Sequence, residues 1–197
     1  MKKHIYTILF FMFLLNSCED NDMDRTIFIP DESNPTLPAY SEWGYNSFGA
    51  IYDRNYFLVS NGITPCKITY QKGMLNFYLI GKINYWSQDD MLLSFSFPFS
   101  PVNNYADLVI LNNTKIDLSD PLCIVKIEIN GNEEIITPIS GNLTFKRSQL
   151  LKIDGVQNRV ILSGVFEIKF LRNERPETIS EGRFDMGINN DFYSFPE

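Results

Sequence analysis

The sequence predicts an all-β domain, an antiparallel β-sandwich. Apolar and polar residues alternate with a period of two along most of the chain after Trp43, the pattern of strands with one buried and one solvated face. No stretch repeats its apolar residues every 3.6 positions, so no long amphipathic helix is expected. Pairs ending in glycine separate the alternating runs, where hairpin turns need positive φ. These pairs are Lys72-Gly73, Asn130-Gly131 and Asp154-Gly155.

The first residues are typical of a bacterial lipoprotein signal. Two lysines precede an apolar run over residues 5–15, which is shorter than the roughly 20 residues of a membrane-spanning helix. The run leads into LNSC (residues 15–18), which resembles the lipobox, a motif whose cysteine is acylated after cleavage directly before it. Residues 1–17 are therefore expected to leave as the signal, and Cys18 is expected to carry acyl chains that hold the protein on a membrane.

Residues 18–40 are predicted to be an acidic tether, and residues 41–197 a single β domain. The tether segment carries six acids, one arginine and three prolines, and it shows no periodicity. The acids directly after Cys18 are similar to the surface-export signal of Bacteroides-type lipoproteins. A merely solvated tether has the same composition, and both interpretations can hold together.

The alternation is clearest in three stretches of the domain. LLSFSFPF (92–99), CIVKIEI (123–129) and VILSGVFEIKF (160–170) each place apolar residues on one face and mostly polar residues on the other. About ten strands fit the chain at the spacing of sandwiches and barrels, so a closed, lipocalin-like β-barrel is the alternative fold. The face expected to be buried in the third stretch consists of Val160, Leu162, Phe166, Ile168 and Phe170.

Three motifs near the end of the chain suggest a family. ISGNLTF (139–145), VILSGVFEIKF (160–170) and TISEGRFDM (178–186) resemble the closing pattern of uncharacterised Bacteroides-type lipoproteins. Those proteins pair a lipobox with an all-β domain of unknown function that ends in SGxFxF and GRFD motifs. The resemblance implies an all-β fold and a lipid-anchored place in the outer membrane, facing the cell surface or the periplasm. It implies no activity.

Composition excludes several functions. The only histidine, His4, lies in the signal, so the mature chain lacks the catalytic triads, zinc sites and acid–base groups that need one. The chain has 17 basic and 24 acidic residues and no basic cluster, so nucleic acid is not an expected partner. No cofactor and no metal site is predicted.

Two cysteines remain after Cys18. Cys66 and Cys123 both occupy apolar positions of predicted strands, so both side chains are expected to point inward. In an oxidising cell envelope such a pair can form a disulfide. Two buried free thiols, packed as small hydrophobic side chains, are the alternative.

The GRFD motif (182–185) is the sharpest local polar signal. A strand places Arg183 and Asp185 on one face and Phe184 on the opposite face, in the core. The Arg–Asp pair either faces a ligand or forms an ion pair that supports the last long strand.

The acidic residues of the domain are compatible with carboxylate-based catalysis. Two carboxylates flanking a glycosidic bond need no histidine, so a small hydrolase of the glycosidase type stays open. Loop oxygens can also bind calcium, but the EF-hand spacing is missing, and Asn and Asp in loops usually close turns. The candidate acids are Asp89, Asp90, Asp107, Asp117, Asp120 and Glu128, and the candidate calcium loop holds Asn112, Asn113, Asp117 and Asp120.

Aromatic residues near strand ends are the candidate ligand contacts. A ring in such a place either stacks on a sugar or a partner, or covers the core. The expected function is a non-catalytic, surface-displayed binding or accessory module for a glycan or an envelope protein, with the hydrolase as the alternative. The candidate binding aromatics are Trp43, Tyr45, Tyr85 and Trp86, and Tyr52 and Tyr56 lie in similar places.

Overall fold

The computed structural model describes residues 25–60, 64–83 and 89–194. These residues form twelve strands and one short 3₁₀ helix. The strands are β1 (Ser47–Tyr52), β2 (Asn55–Val59), β3 (Cys66–Gln71), β4 (Met74–Ile83), β5 (Asp89–Pro98), β6 (Thr114–Asp117), β7 (Ile124–Ile129), β8 (Asn132–Ile136), β9 (Pro138–Ile153), β10 (Val156–Arg172), β11 (Arg175–Ile188) and β12 (Tyr193–Ser194), and the helix is Tyr105–Leu111.

The strands belong to one sheet that curls on itself as a half-barrel. Neighbours pair antiparallel in the order β6-β9-β10-β11-β1-β2-β4-β5-β7-β8, β3 joins at β4, and β12 pairs parallel with β3. The predicted all-β, antiparallel class is confirmed. In a β-sandwich two separate sheets form the two facing layers. In this protein the two halves of one curled sheet form them.

Phenylalanine rings fill the inside of the curl. The ring of Phe77 in β4 lies 5.0 Å from that of Phe184 in β11 and 5.7 Å from that of Phe145 in β9, centroid to centroid. Phe95 in β5 meets Phe166 in β10 at 5.6 Å. The half with β4 and β5 therefore packs face to face against the half with β9, β10 and β11. The face predicted to be buried in the third alternating stretch is buried throughout, which confirms that prediction.

A polar cluster joins the end strand β8 to β10. The Nε of Arg172 in β10 donates to Glu134 in β8 at 2.7 Å, and its Nη1 donates to the hydroxyl of Tyr52 at 3.0 Å. The Tyr52 hydroxyl donates in turn to Glu177 of β11. Burial, followed by the bond to Glu177, raises the pKa of Tyr52, so its hydroxyl stays protonated and serves as a donor.

The three predicted glycine turns are hairpins. All six of their residues have φ between +50° and +81°, which suits the right-handed twist of the strands they connect. The turn between β10 and β11 has the same geometry without glycine, because Asn173 and Glu174 take φ of +49° and +63°.

A β-bulge interrupts β11 at Glu181 and Gly182. Phe166 of β10 is opposite Gly182 while Ile168 is opposite Ile179, so β11 has one residue more than β10 between these pairs. Glu181 takes φ of +52°. A Cβ atom at Gly182 would lie 2.5 Å from the carbonyl oxygen of Phe166, so only glycine fits beside this bulge.

Residues 25–46 form a strap that lies on the outer face of the sheet. Backbone hydrogen bonds join Ile27 to Tyr45 at 2.8 Å and Ala39 to Ile29 at 2.7 Å, so the strap folds back on itself. Leu37 is 0 % exposed. A Cβ atom at Gly49 of β1 would lie 2.5 Å from Cδ of Pro38, so the strap packs directly on the backbone of β1.

The strap corrects the predicted domain boundary. An unpacked tether over residues 18–40 does not hold for residues 25–40, which contact each other, the adjoining strand β1 and the much later strand β11. Such contacts leave no periodic trace in the strap's own sequence, and this is why composition alone indicated a solvated linker. Residues 18–24 lie outside the described residues.

Candidate functional site

The GRFD motif fastens the strap to β11. Phe184 is buried in the core, and Arg183 and Asp185 lie on the opposite face, as the sequence predicts. Their polar groups do not pair with each other. Nη1 of Arg183 donates to Asp31 of the strap at 2.7 Å, and Nη2 donates to Glu181 of the bulge at 3.2 Å. The motif therefore positions the strap, a third role beside the two that the sequence left open.

Asp185 fixes the strap residues 41–45, called here the Trp43 loop. Its carboxylate is 1 % exposed and accepts hydrogen bonds from the hydroxyl of Ser41 at 2.5 Å and from the backbone N–H groups of Trp43, Gly44 and Tyr45 at 2.7 to 3.3 Å. Several donors aimed at one buried carboxylate compensate its desolvation. The loop is held in one position on the sheet.

The Trp43 loop presents its tryptophan to solvent. The Trp43 side chain is 73 % exposed, whereas Tyr45 is half-buried. Because the loop is already fixed, little backbone mobility is lost when a partner binds to the exposed indole. Large rigid rings of this kind commonly anchor bound partners. Of the other predicted aromatics, Tyr52 is buried in the polar cluster described above and Tyr56 is half-buried beside the strap. Tyr85 and Trp86 lie outside the described residues.

A groove of about 420 Å³ runs over the outer face of the sheet beside the strap. The floor of the groove is a row of residues from three adjacent strands. Val165 of β10 lies in the middle of this row, opposite Thr144 of β9 on one side and Arg183 of β11 on the other. Its remaining wall residues come from the strap, from β6 and from the bulge. The residues that line the groove are Tyr40, Lys115, Asn142, Thr144, Lys146, Val165, Phe166, Glu167, Glu181, Gly182 and Arg183.

A second hollow of about 230 Å³ continues the groove along the strands. The two share Asn142 and Glu167, which are opposite one another in β9 and β10. The next row places Lys169 opposite both Ser140 and Thr178. From Lys146 to Ser140 the combined surface follows β9 for about 20 Å at roughly 3.3 Å per residue. It is an elongated strip of amide, hydroxyl and charged groups.

Tyr40 forms the strap side of the groove. The ammonium of Lys146 lies 4.8 Å from the centre of the Tyr40 ring, a cation–π contact, and the Tyr40 hydroxyl donates to Glu42 at 2.8 Å. Burial, together with the bond to Glu42, raises the pKa of Tyr40 to about 12. Tyr40 is therefore a protonated donor at neutral pH, and its ring contacts Lys146 at the strap side of the groove.

The acids singled out from the sequence serve turns, a cap and the surface. Asp107 caps the 3₁₀ helix with bonds from the N–H groups of Asn103 and Asn104.

The other acids close turns or lie on the surface. Asp117 accepts hydrogen bonds from Ser119, which lower the pKa of Asp117, and Asp120 accepts from the N–H of Leu122. Asp89 bonds to Asn130, Asp90 pairs with Lys82, Glu128 lies on β7, and none of the six lines the groove.

The two carboxylates that do line the groove are Glu167 and Glu181. Glu181 is bonded to Arg183, whereas Glu167 points outward from β10 without an ion pair to any described residue. Within the described ranges, no group of three or more His, Cys, Asp or Glu side chains is placed to hold a metal ion. Of the candidate calcium loop, Asn112 accepts from the N–H of Ser148.

The two cysteines are free thiols. Cys66 of β3 is fully buried, which raises the pKa of its thiol, and Cys123 is half-buried just before β7. Cys66 is opposite Leu79, which is opposite Leu93, which is opposite Ile127, so β3 and β7 are three strand spacings apart. That separation, about 14 Å, is far more than the roughly 7 Å that a disulfide spans between Cα atoms. The disulfide alternative is thereby wrong and the free-thiol alternative holds.

No protein family, curated protein or solved structure matches this chain. Within the described part of the chain there is no helix with the length and apolar character required to cross a bilayer. The predicted lipidation residue, Cys18, precedes the described residues.

The sequence did not predict most of the groove. The one signal for it was a row of polar positions in the alternating strands. Alternation assigned Glu167 and Lys169 of VILSGVFEIKF to a solvated face, whereas Asn142 and Thr144 lie in ISGNLTF, for which no face was predicted. Only strand pairing shows that these faces adjoin. Tyr40 gave no signal, because its place depends on the strap.

Proposed function

We propose that this protein is a lipid-anchored, surface-displayed module of the cell envelope that binds a glycan in the groove and catalyses no reaction on it. The groove carries the proposal. It is open, elongated, walled by an aromatic ring and lined by amide, hydroxyl and charged side chains from neighbouring strands. Sugar hydroxyls need such donors and acceptors, and a sugar ring needs an apolar wall.

The fixed strap supports binding rather than catalysis. Arg183 and Asp185 hold the strap against the sheet, so the wall formed by Tyr40 exists before a ligand arrives. A site formed in advance avoids the entropy cost of ordering on binding. Trp43, on the same strap, offers an additional exposed ring.

The proposed anchor sets where the groove works. LNSC at residues 15–18 makes Cys18 the acylation residue, and only residues 19–24 separate it from the first described residue, Arg25. That stretch reaches at most about 25 Å when fully extended. The module therefore meets glycans close to the membrane surface, where tethering keeps its effective concentration high.

The anchor is tested by replacing Cys18 with Ala. The variant should leave the membrane fraction, and mass spectrometry of the wild-type protein should find acyl chains on Cys18 at the mature amino terminus. A mature terminus elsewhere, without acylation, contradicts the anchor.

The binding function is tested on the full-length protein purified in detergent. A glycan array should give a specific set of ligands, and Asn142→Trp, which fills the shared middle of the two hollows, should abolish their binding. Lys152→Trp, an exposed position of the same strand outside both hollows, is the matched control and should leave binding intact. An array without any ligand contradicts glycan binding, and capture of a protein through the same groove would support an accessory role instead.

The hydrolase alternative has one observation in its favour, which is that Glu167 and Glu181 line the same groove. An activity screen on the array ligands tests it. Turnover that Glu167→Gln abolishes, with unchanged thermal unfolding, would replace the binding module by a carboxylate hydrolase.

A further inference from the structure

Three lysines follow the groove and its continuation. Lys115 and Lys146 line the groove, and Lys169 lines the second hollow. All three side chains are exposed, and none forms an ion pair with a described residue. With Arg183, the side chains that line the two hollows carry four positive charges against two negative ones, Glu167 and Glu181, and Asp117 lies two residues from Lys115 on β6. In a chain of net charge −7 this small positive excess favours anions locally.

Lys115 and Lys146 can meet at one anionic group. Lys115 of β6 is opposite Thr144 of β9, and Lys146 is two residues further on the same face. Diagonal neighbours of this kind have Cβ atoms roughly 7–8 Å apart, which long side chains bridge easily. The Tyr40 ring holds the Lys146 ammonium on the groove side, 4.8 Å from its centre.

The middle of the strip has the opposite charge. Glu167 lies between the lysine pair and Lys169, with Asn142 opposite it. A carboxylate there repels an anion but accepts hydrogen bonds from hydroxyl groups. At the far end, the hydroxyls of Ser140 and Thr178 flank Lys169. The order along the groove is therefore anion-binding, hydroxyl-binding, anion-binding.

We infer that the ligand is an acidic oligosaccharide, with a carboxylate or sulfate group at Lys115 and Lys146, neutral hydroxyls at Asn142 and Glu167, and a second acidic group at Lys169. The inference rests on the proposed glycan-binding function and narrows it. A polyphosphate chain is disfavoured, because its evenly spaced charges would place an anion on Glu167.

The experiment compares matched ligands on the full-length protein in detergent. The probes are a uronate oligosaccharide, the same oligosaccharide with its carboxyl groups reduced to alcohols, and a sulfated oligosaccharide of equal length. At least one acidic probe should bind about tenfold or more tighter than the reduced probe, and raising salt from about 0.05 to 0.5 M should weaken it several-fold. The stronger acidic probe tells whether the anion is carboxylate or sulfate.

Lysine variants locate the charge dependence. Lys115→Gln and Lys146→Gln should each weaken binding of the acidic probe by about two- to fivefold, and the double variant by about tenfold, whereas binding of the reduced probe should weaken less, because it loses hydrogen bonds but no charge attraction. Lys152→Gln, an exposed lysine of β9 outside both hollows, is the matched control and should change nothing. Thermal unfolding shows that the variants fold.

The outcomes separate this inference from the proposed function. If glycans bind but the reduced probe binds as tightly as the acidic ones, or the double variant binds like wild type, the acidic ligand is overturned and glycan binding stands. If no glycan binds at all, both are overturned.

Discussion

Asp185 holds the Trp43 loop through one buried carboxylate that accepts four hydrogen bonds. Asp185→Asn keeps the size of the side chain but removes the charge and turns an NH₂ donor toward backbone N–H donors. The free energy of unfolding should fall by about 1.5–3 kcal/mol in urea denaturation. Asp90→Asn, which removes an exposed partner of Lys82, is the control and should cost less than about 1 kcal/mol. Equal effects would contradict the role of Asp185.

Asp31, at the other fastening of the strap, makes stability depend on pH. Hydrogen bonds from the side chain and N–H of Ser33 and the N–H of Asn34, with a smaller effect of Arg183, lower the pKa of Asp31 to about 2 from an ordinary 3.8. A lowered folded-state pKa stabilises the fold above the unfolded-state pKa, and this contribution is lost as pH falls. Asp31→Asn should therefore be less stable than wild type at about pH 6, and the gap should close between about pH 4 and pH 2. A gap that is constant across unfolding curves in this range would refute the linkage.

At the scale of single elements, the β10–β11 turn carries avoidable strain. Glu174 takes φ of +63°, a left-handed conformation that disfavours side chains with a Cβ atom. Glu174→Gly should raise the free energy of unfolding by about 0.5–1 kcal/mol, because the released strain exceeds the added flexibility of the unfolded chain. Gly155→Ala, at φ of +80° in the preceding turn, is the converse change and should destabilise by a similar amount. Denaturant unfolding of both variants measures these free energies of unfolding. A Glu174→Gly variant that is less stable than wild type would contradict backbone strain at Glu174.

The same turn shows which elements sequence can predict. Glycine pairs identified three hairpins because their chemistry is local, whereas Asn173-Glu174 has the same shape held in place by the long pairing of β10 with β11. The GRFD faces were predictable from alternation, but the partners of Arg183 and Asp185 were not, because they lie more than a hundred residues earlier. The bulge at Glu181 has no sequence rule of its own either.

At the scale of the whole molecule, stability depends on the contact between the two halves of the curled sheet. Phe166 is buried and packs edge-on against Phe95 of the facing half. Phe166→Ala should lower the free energy of unfolding by about 3–5 kcal/mol, because it leaves a cavity between the halves. Leu171→Ala, an exposed apolar residue of the same strand, should change it by less than about 0.5 kcal/mol. Similar losses for both would contradict a core at this position.

The architecture was predictable in class but not in its closure. Period two specifies which residues face inward, and it is the same for two sheets, for a closed barrel and for one curled sheet. The groove depends on which strands become neighbours, and so Lys115, Asn142 and Glu167 could not be brought together from their spacing. The disulfide alternative failed for the same reason, since Cys66 and Cys123 lie on strands that the topology separates.

The attachment of the strap to β11 also decides how the molecule bears mechanical load. A pull on the chain ahead of residue 25 passes into the sheet through Asp31 and Arg183 and through the Asp185 carboxylate, before it reaches β1. β11 is paired along its length with β10 and over residues 179–185 with β1, so tension that enters β11 is shared with strands on both sides. Arg183 also lines the groove, so under the proposed anchor and ligand the two forces would meet at one side chain. Under the proposed anchor at Cys18, tension from the membrane would therefore enter the sheet at β11, beside the groove.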